Sequence, residues 1–175
     1  SRCNRYRLAQ LFLRQLRSVD RHASACQSLV EQDDDPADLR LEQGELGLEG
    51  VQINIGTHGP DRWHFGHDDP ARRREVRSAI ESHDLFVELD TRTTDPVYLR
   101  SVLELCGDLG ATVLRTYQVP TGNTEADMKR AAANLTTIVP VCADLGIRIA
   151  FENHEYETSH DILEMIRRVD SEWIG

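Results

Sequence analysis

The run Ile149-Ala150-Phe151-Glu152-Asn153-His154-Glu155 is the strongest local signal in this sequence. Its apolar, β-favouring opening reads as a strand. A carboxylate, an amide and an imidazole then follow at the C-terminal end, the end at which βα proteins bind ligands and carry out chemistry. Glu152 is the natural base or metal ligand there, and His154, two residues on, points to the same side. The bland alternative is a rim carboxylate with no role, since a charged residue often closes an apolar strand. Gly56-Thr57-His58-Gly59-Pro60 ends an earlier β-like run and brings His58 toward the same mouth. His64 and His67 follow in loop sequence without metal-type spacing. The polar segment Tyr117-Gln118-Val119-Pro120-Thr121-Gly122-Asn123 is expected to cross that mouth. No G-x-G-x-x-G, Walker A or G-x-S-x-G pattern occurs, which removes the main support for dinucleotide oxidoreductases, nucleotide hydrolases and serine hydrolases.

The elements that must position these residues alternate regularly from residue 36. Asp35-Pro36, Asp69-Pro70 and Asp95-Pro96 each precede a helix-like stretch. Asp at the cap accepts backbone N–H groups, and Pro at the first helical position loses no bond. Thr124 with Asp127 and Thr158 with Asp161 read as capping boxes. Gly47, Gly110 and Gly146 close near-identical helix ends, where a left-handed glycine terminates the helix. Helices are expected near 36–46, 70–82, 96–109, 125–145 and 159–169, the fourth kinked at Pro140. β-rich runs at Val51–Ile55, Leu85–Leu89, Thr112–Val119 and Ile147–Phe151 lie between them. Alternation of this kind predicts βα units, right-handed crossovers and a parallel sheet, an α/β fold.

Strand parity then narrows the architecture. Val51, Ile53 and Ile55 alternate with Gln52 and Asn54; Val87 and Leu89 alternate with Glu88, Asp90 and Arg92. Ile149 and Phe151 alternate with Arg148, Ala150, Glu152 and His154, while Arg115 and Tyr117 share one side of the third run. Parallel strands covered on both faces usually read as continuous apolar runs. Here one face is apolar and can carry helices, and the other is polar, as suits a barrel that binds a polar ligand at its mouth. Arg115 is expected within salt-bridge reach of Glu88 or Asp90; mutual neutralisation and a site above that pairing are compatible.

Composition sets the outer limits. The 175 residues hold 20 basic and 30 acidic side chains, a net charge of -10, which disfavours nucleic-acid binding. The apolar fraction of 39% supports a soluble domain with a core, and no run of membrane-spanning length occurs. Residues 1–34 form a separate basic arm, partly helical or poorly ordered, since Arg2, Arg5, Arg7, Arg14, Arg17 and Arg21 face one acid, Asp20, over its first 25 positions. Residues 35–175 make the folded domain. Cys3, Cys26, Cys106 and Cys142 form no C-x-x-C pair; Cys106 and Cys142 read as buried thiols, and a cytoplasmic location fits best.

Leu46-Gly47-Leu48-Glu49-Gly50-Val51-Gln52-Ile53, Gly110-Ala111-Thr112-Val113-Leu114-Arg115 and Leu145-Gly146-Ile147-Arg148-Ile149-Ala150-Phe151-Glu152-Asn153-His154 resemble segments of the sugar phosphate isomerase/epimerase family, the xylose-isomerase-like TIM barrels. The resemblance covers residues 35–175 and implies an incomplete (β/α)8 barrel of about five βα units, the N-terminal portion of the family fold. It implies that Glu152 binds a divalent metal (Mn, Mg, Zn or Co) and moves protons, with His58, Arg115, Tyr117 and His154 around a small sugar-like substrate. The implied chemistry is isomerisation or epimerisation in carbohydrate metabolism, by proton transfer next to a carbonyl. The family's metal site takes further Asp, His and Glu ligands from later strands, whereas Glu172-Trp173-Ile174-Gly175 looks like the start of strand six. This chain alone is therefore expected to be poorly active. Two alternatives remain: an endonuclease-IV-like hydrolase, which the acidic balance disfavours, and a non-catalytic subunit whose barrel is completed by a second copy or another chain. No membrane partner is expected.

Overall fold

The computed structural model describes residues 50–56, 68–154 and 156–175. The basic arm, the helix expected at 36–46, and His58, His64 and His67 lie outside the described residues. Within them, strands β1 (Gly50–Gly56), β2 (Phe86–Thr91), β3 (Val113–Thr116) and β4 (Arg148–Phe151) form one sheet in the order β1-β2-β3-β4. Every pairing is parallel. Helices α1 (Pro70–Ser82), α2 (Pro96–Leu109), α3 (Thr124–Leu145) and α4 (Ser159–Val169) alternate with the strands. Each helix packs on the next, and α2 lies on β2 and β3. The fold is thus part of a (β/α) barrel.

The apolar parity of the strands explains where the helices go. Val51, Ile55, Val87, Leu89, Leu114, Ile149 and Phe151 are buried together with Leu99, Val102, Leu103 and Cys106 of α2 and Leu135, Ile138 and Cys142 of α3. The two described cysteines are free thiols in this layer, and burial pushes the Cys142 thiol up to about 11. Residues 173–175 extend the pattern: Ile174 bridges Ile149 in parallel, and Phe151 N–H donates to Gly175 O at 2.6 Å.

Local chemistry sets the helix starts. Asp69 accepts from Ala71 N–H and Asp95 from Tyr98 N–H, with Pro70 and Pro96 just inside. Thr158 and Asp161 form the reciprocal capping box. The box expected at Thr124 and Asp127 is not formed. Asn123 caps α3 by accepting from Ala126 N–H. Asp127 turns back instead, its carboxylate accepting from the backbone N–H and hydroxyl of Thr121 at 2.7 and 2.8 Å. An Asn one position earlier out-competes Thr because its amide oxygen reaches the orphan N–H while its backbone stays extended. The helix runs through Pro140 as one element. Gly110 and Gly146 end α2 and α3 with φ of 81° and 68°, a conformation other residues adopt only under strain.

The third strand is shorter than its β-rich sequence. Its ladder stops at Thr116, where Glu152 N–H donates to Thr116 O at 2.9 Å, and residues 117–123 leave the sheet. Leu114, fully buried at the sheet's centre, tests this packing. Leu114→Ala should lower stability by about 2–5 kcal/mol in urea unfolding. A loss under about 1 kcal/mol would mean that the site collapses around the smaller side chain and is not tightly packed.

Candidate functional site

The polar parity gathers on the face opposite the helices. The register sets Gln52 beside Glu88, Asn54 beside Asp90, and Asp90 beside Arg115. Since side chains alternate, Glu152 of the segment after β4 and Tyr117 of the segment after β3 continue the same face toward the strands' C-terminal end. There Gln52, Asn54, Asp90, Arg92, Arg115, Tyr117, Glu152 and His154 line one cavity of about 360 Å³.

Arg115 is the centre of this arrangement. Its Nε lies 3.3 Å from Asp90 Oδ1, 3.7 Å from Glu152 Oε2 and 3.8 Å from Glu88 Oε1. Its Nη2 donates to Gln52 Oε1 at 3.2 Å. Gln52 in turn donates to Glu88 at 2.6 Å, and Asn54 donates to the other oxygen of Asp90 at 2.7 Å. One guanidinium thus faces three carboxylates, two of which are held by amides. Burial pushes the carboxyls of Glu88 and Asp90 up, and Arg115 offsets only part of that. Burial works against the Arg115 charge, but Asp90, Glu152 and Glu88 together hold its pKa above the ordinary value.

Glu152 is held more loosely. One oxygen stands 3.7 Å from Arg115 and the other 3.8 Å from His154 Nδ1, both beyond hydrogen-bond length. The His154 ring stacks on Tyr117, with centroids 4.1 Å apart and planes 14° apart. The site can therefore present a carboxylate at its rim, an aromatic wall beside it, and amides and carboxylates below for hydroxyl groups.

Of the residues singled out by sequence, the structure brings Glu152, Arg115, Tyr117 and His154 into one cavity; His58 lies outside the described residues. Gln52, Asn54, Asp90 and Arg92 also line it, although the sequence marked them only as members of the polar face. Their signal was parity, which names a face but not a depth. Among the described residues no group of three or more His, Cys, Asp or Glu side chains converges as metal ligands do. Divalent ions want several convergent ligands. Glu152 offers one carboxylate, with an arginine beside it, so these residues do not by themselves make a metal centre.

The comparisons with known proteins come to the same architecture. Residues 97–175 match the family described as xylose isomerase-like TIM barrel. A curated Escherichia coli (strain K12) relative, the uncharacterized protein YihM, is 23% identical over 137 residues, covering 78% of this chain and 41% of its own length. A D-psicose 3-epimerase solved in the presence of D-fructose superposes with TM-score 0.65 at 12% identity, over 81% of this chain and 57% of that one. The D-psicose 3-epimerase of Clostridium cellulolyticum H10, solved with D-tagatose, gives TM-score 0.67 at 10% identity, over 84% and 58%. A xylose isomerase-like TIM barrel protein from Mycobacterium smegmatis, solved in complex with magnesium, gives 0.58 at 15% identity, over 82% and 56%. The chain thus spans less than half of the curated relative's length and somewhat more than half of these structures, and the likeness is one of fold.

Two measurements test the site. Folded Glu88 and Asp90 hold protons more tightly than unfolded ones, so the stability they contribute is fully present below the ordinary carboxylate range. It is lost as pH rises through their raised folded values. Urea midpoints followed upward from about pH 4 should therefore fall more steeply in the wild type than in Glu88→Gln/Asp90→Asn; equal slopes would refute the assignment. In calorimetry, Mn²⁺ should not bind this chain stoichiometrically at micromolar concentration. Tight binding unaffected by Glu152→Gln would put a metal site elsewhere.

Proposed function

We propose, for a chain that resembles the xylose isomerase-like TIM barrels in both its family match and its fold, that it contributes the N-terminal part of a sugar or polyol isomerase or epimerase. The supporting observation is the cavity at the strand ends, where Glu152 faces the space enclosed by the Tyr117–His154 stack, Asp90 and Arg115. A small neutral polyol suits such a lining. The stack offers a flat wall to the C–H face of a sugar ring or chain, and carboxylates and amides accept and donate to its hydroxyls. Nucleic acid suits it poorly, because the inner face carries Glu88, Asp90 and Glu152 around Arg115. The absence, among the described residues, of a helix long and apolar enough to cross a membrane, together with two buried free thiols, is consistent with a cytoplasmic enzyme.

In this reading Glu152 takes the proton from the carbon next to the substrate carbonyl. Arg115 stands 3.7 Å from that carboxylate, within ion-pair range and beyond the hydrogen-bond length that would hold it rigidly. His154 and Tyr117 orient the sugar. A positioned base of this kind accounts for about 10²–10⁴ in rate. Glu152 would also help hold a divalent ion, which when bound would polarise the carbonyl.

Deuterium exchange tests the reading. Joined to the C-terminal half of a related barrel and incubated in D₂O with D-fructose and Mn²⁺, the protein should label the substrate carbon beside the carbonyl. Glu152→Gln should slow labelling at least about 100-fold without changing the thermal midpoint. Undiminished exchange in that variant sinks the assignment of Glu152.

A further inference from the structure

We propose that Thr94, Gln118 and Asn134 form a buried clip that positions Tyr117 against His154, although none of the three lines the cavity. The inference rests on the reading that Tyr117 and His154 wall the ligand site. Its starting point is a gap in the backbone ladder. β3 ends at Thr116, so Tyr117 stands one position past the last strand residue.

Two side chains make up for that. Thr116 and Gln118 flank Tyr117 in sequence, and alternation sends both to the helix side when Tyr117 faces the cavity. Each is tied to the segment between β2 and α2, at consecutive residues. Thr116 Oγ1 donates to Thr93 O at 2.6 Å and accepts from Thr93 N–H at 3.3 Å. Thr94 Oγ1 donates to Gln118 Oε1 at 2.5 Å. Asn134 of α3 donates to Thr94 Oγ1 at 3.3 Å, and Gln118 Nε2 donates to Val119 O at 2.9 Å. Tyr117 is thus bracketed on both sides by bonds to one neighbouring segment.

The placement of these groups argues for more than incidental pairing. Thr94 is 2% exposed and Gln118 7%, in a largely apolar layer. A buried hydroxyl or amide in such a layer is costly when it loses its partner. Each member therefore holds the others to one geometry, and that geometry fixes the backbone that carries the Tyr117 ring. The same segment carries Arg92, another cavity residue, so one clip couples the β2 and β3 sides of the mouth. Thr94, Gln118 and Asn134 are positioning residues.

The test reads the stack itself by proton NMR. A Tyr117 ring 4.1 Å from His154 shifts the His154 ring protons upfield. Thr94→Val, which keeps shape and loses only the hydroxyl, should abolish that displacement while the Trp173 resonances stay as in the wild type, with a lowered thermal midpoint from the unpaired Gln118 amide. Thr94→Ser, which restores the donor, should bring it back. Gln118→Met should act as Thr94→Val does, which guards against a folding defect peculiar to one variant. A His154 displacement retained in both Thr94→Val and Gln118→Met overturns the proposal, and so does a loss in Thr94→Ser equal to that in Thr94→Val. Failure of the underlying sugar reading would show separately, as wild-type Tyr117 and His154 resonances that do not move when D-fructose is added.

Discussion

The contact on which the inner face depends is the Arg115 guanidinium among Glu88, Asp90 and Glu152. A polar barrel interior is possible only if its charges are paired and its remaining donors and acceptors are used. Gln52 and Asn54 meet that requirement by donating to Glu88 and Asp90, which lets two acids sit side by side on β2. Removing the arginine would leave three acids converging on a half-buried space, a situation far costlier than the pairing is favourable. The alternation of the strands accommodates this: Gln52, Asn54, Glu88, Asp90, Arg115 and Glu152 serve the ionic cluster, and Val51, Val87, Leu89, Leu114 and Ile149 between them serve the apolar layer beneath the helices.

That apolar layer positions the site from behind. Leu89, Leu114 and Ile149 are fully buried on three successive strands. Their packing fixes the strand register, and register decides that Asp90 lies beside Arg115 and not one residue away, where parity would turn it to the wrong face. Asp95 starts α2 just after β2 ends at Thr91, so the segment between them has little freedom in direction. The chemistry at the mouth thus inherits its geometry from aliphatic packing and helix caps.

Most of this was legible in the sequence because it depends on periodicity. Strand parity foretold the polar face and the Arg115 pairing, the alternation of strands and helices foretold the parallel sheet, and Asp-Pro and Gly foretold helix limits. What escaped the sequence depends on competition between neighbours. Asn123 and Thr124 are both competent caps, and only the turn-back of Asp127 onto Thr121 decides between them. The β-rich run 112–119 leaves the ladder after Thr116 because side-chain bonds of Thr116 and Gln118 hold the segment from there, a trade no propensity records. The Tyr117–His154 stack joins residues of two different loops, and nothing in either loop alone announces the other.

Asp90 and Glu152 are held differently within the cluster. Both face the same guanidinium, but Asp90 has its second oxygen bound by Asn54 and is nearly closed to solvent, whereas Glu152 stands at ion-pair distance with its side chain 30% exposed. A group that only neutralised Arg115 would gain by closing to hydrogen-bond length, as Asp90 nearly does. Glu152 instead keeps acceptor capacity directed at the mouth, beside an aromatic wall, while the acids below it already supply most of what Arg115 needs. The cluster holds three acids for one arginine, and the most exposed of them stands at the mouth of the cavity. An arrangement selected for stability alone would place the surplus charge in water; here it is aimed into the cavity.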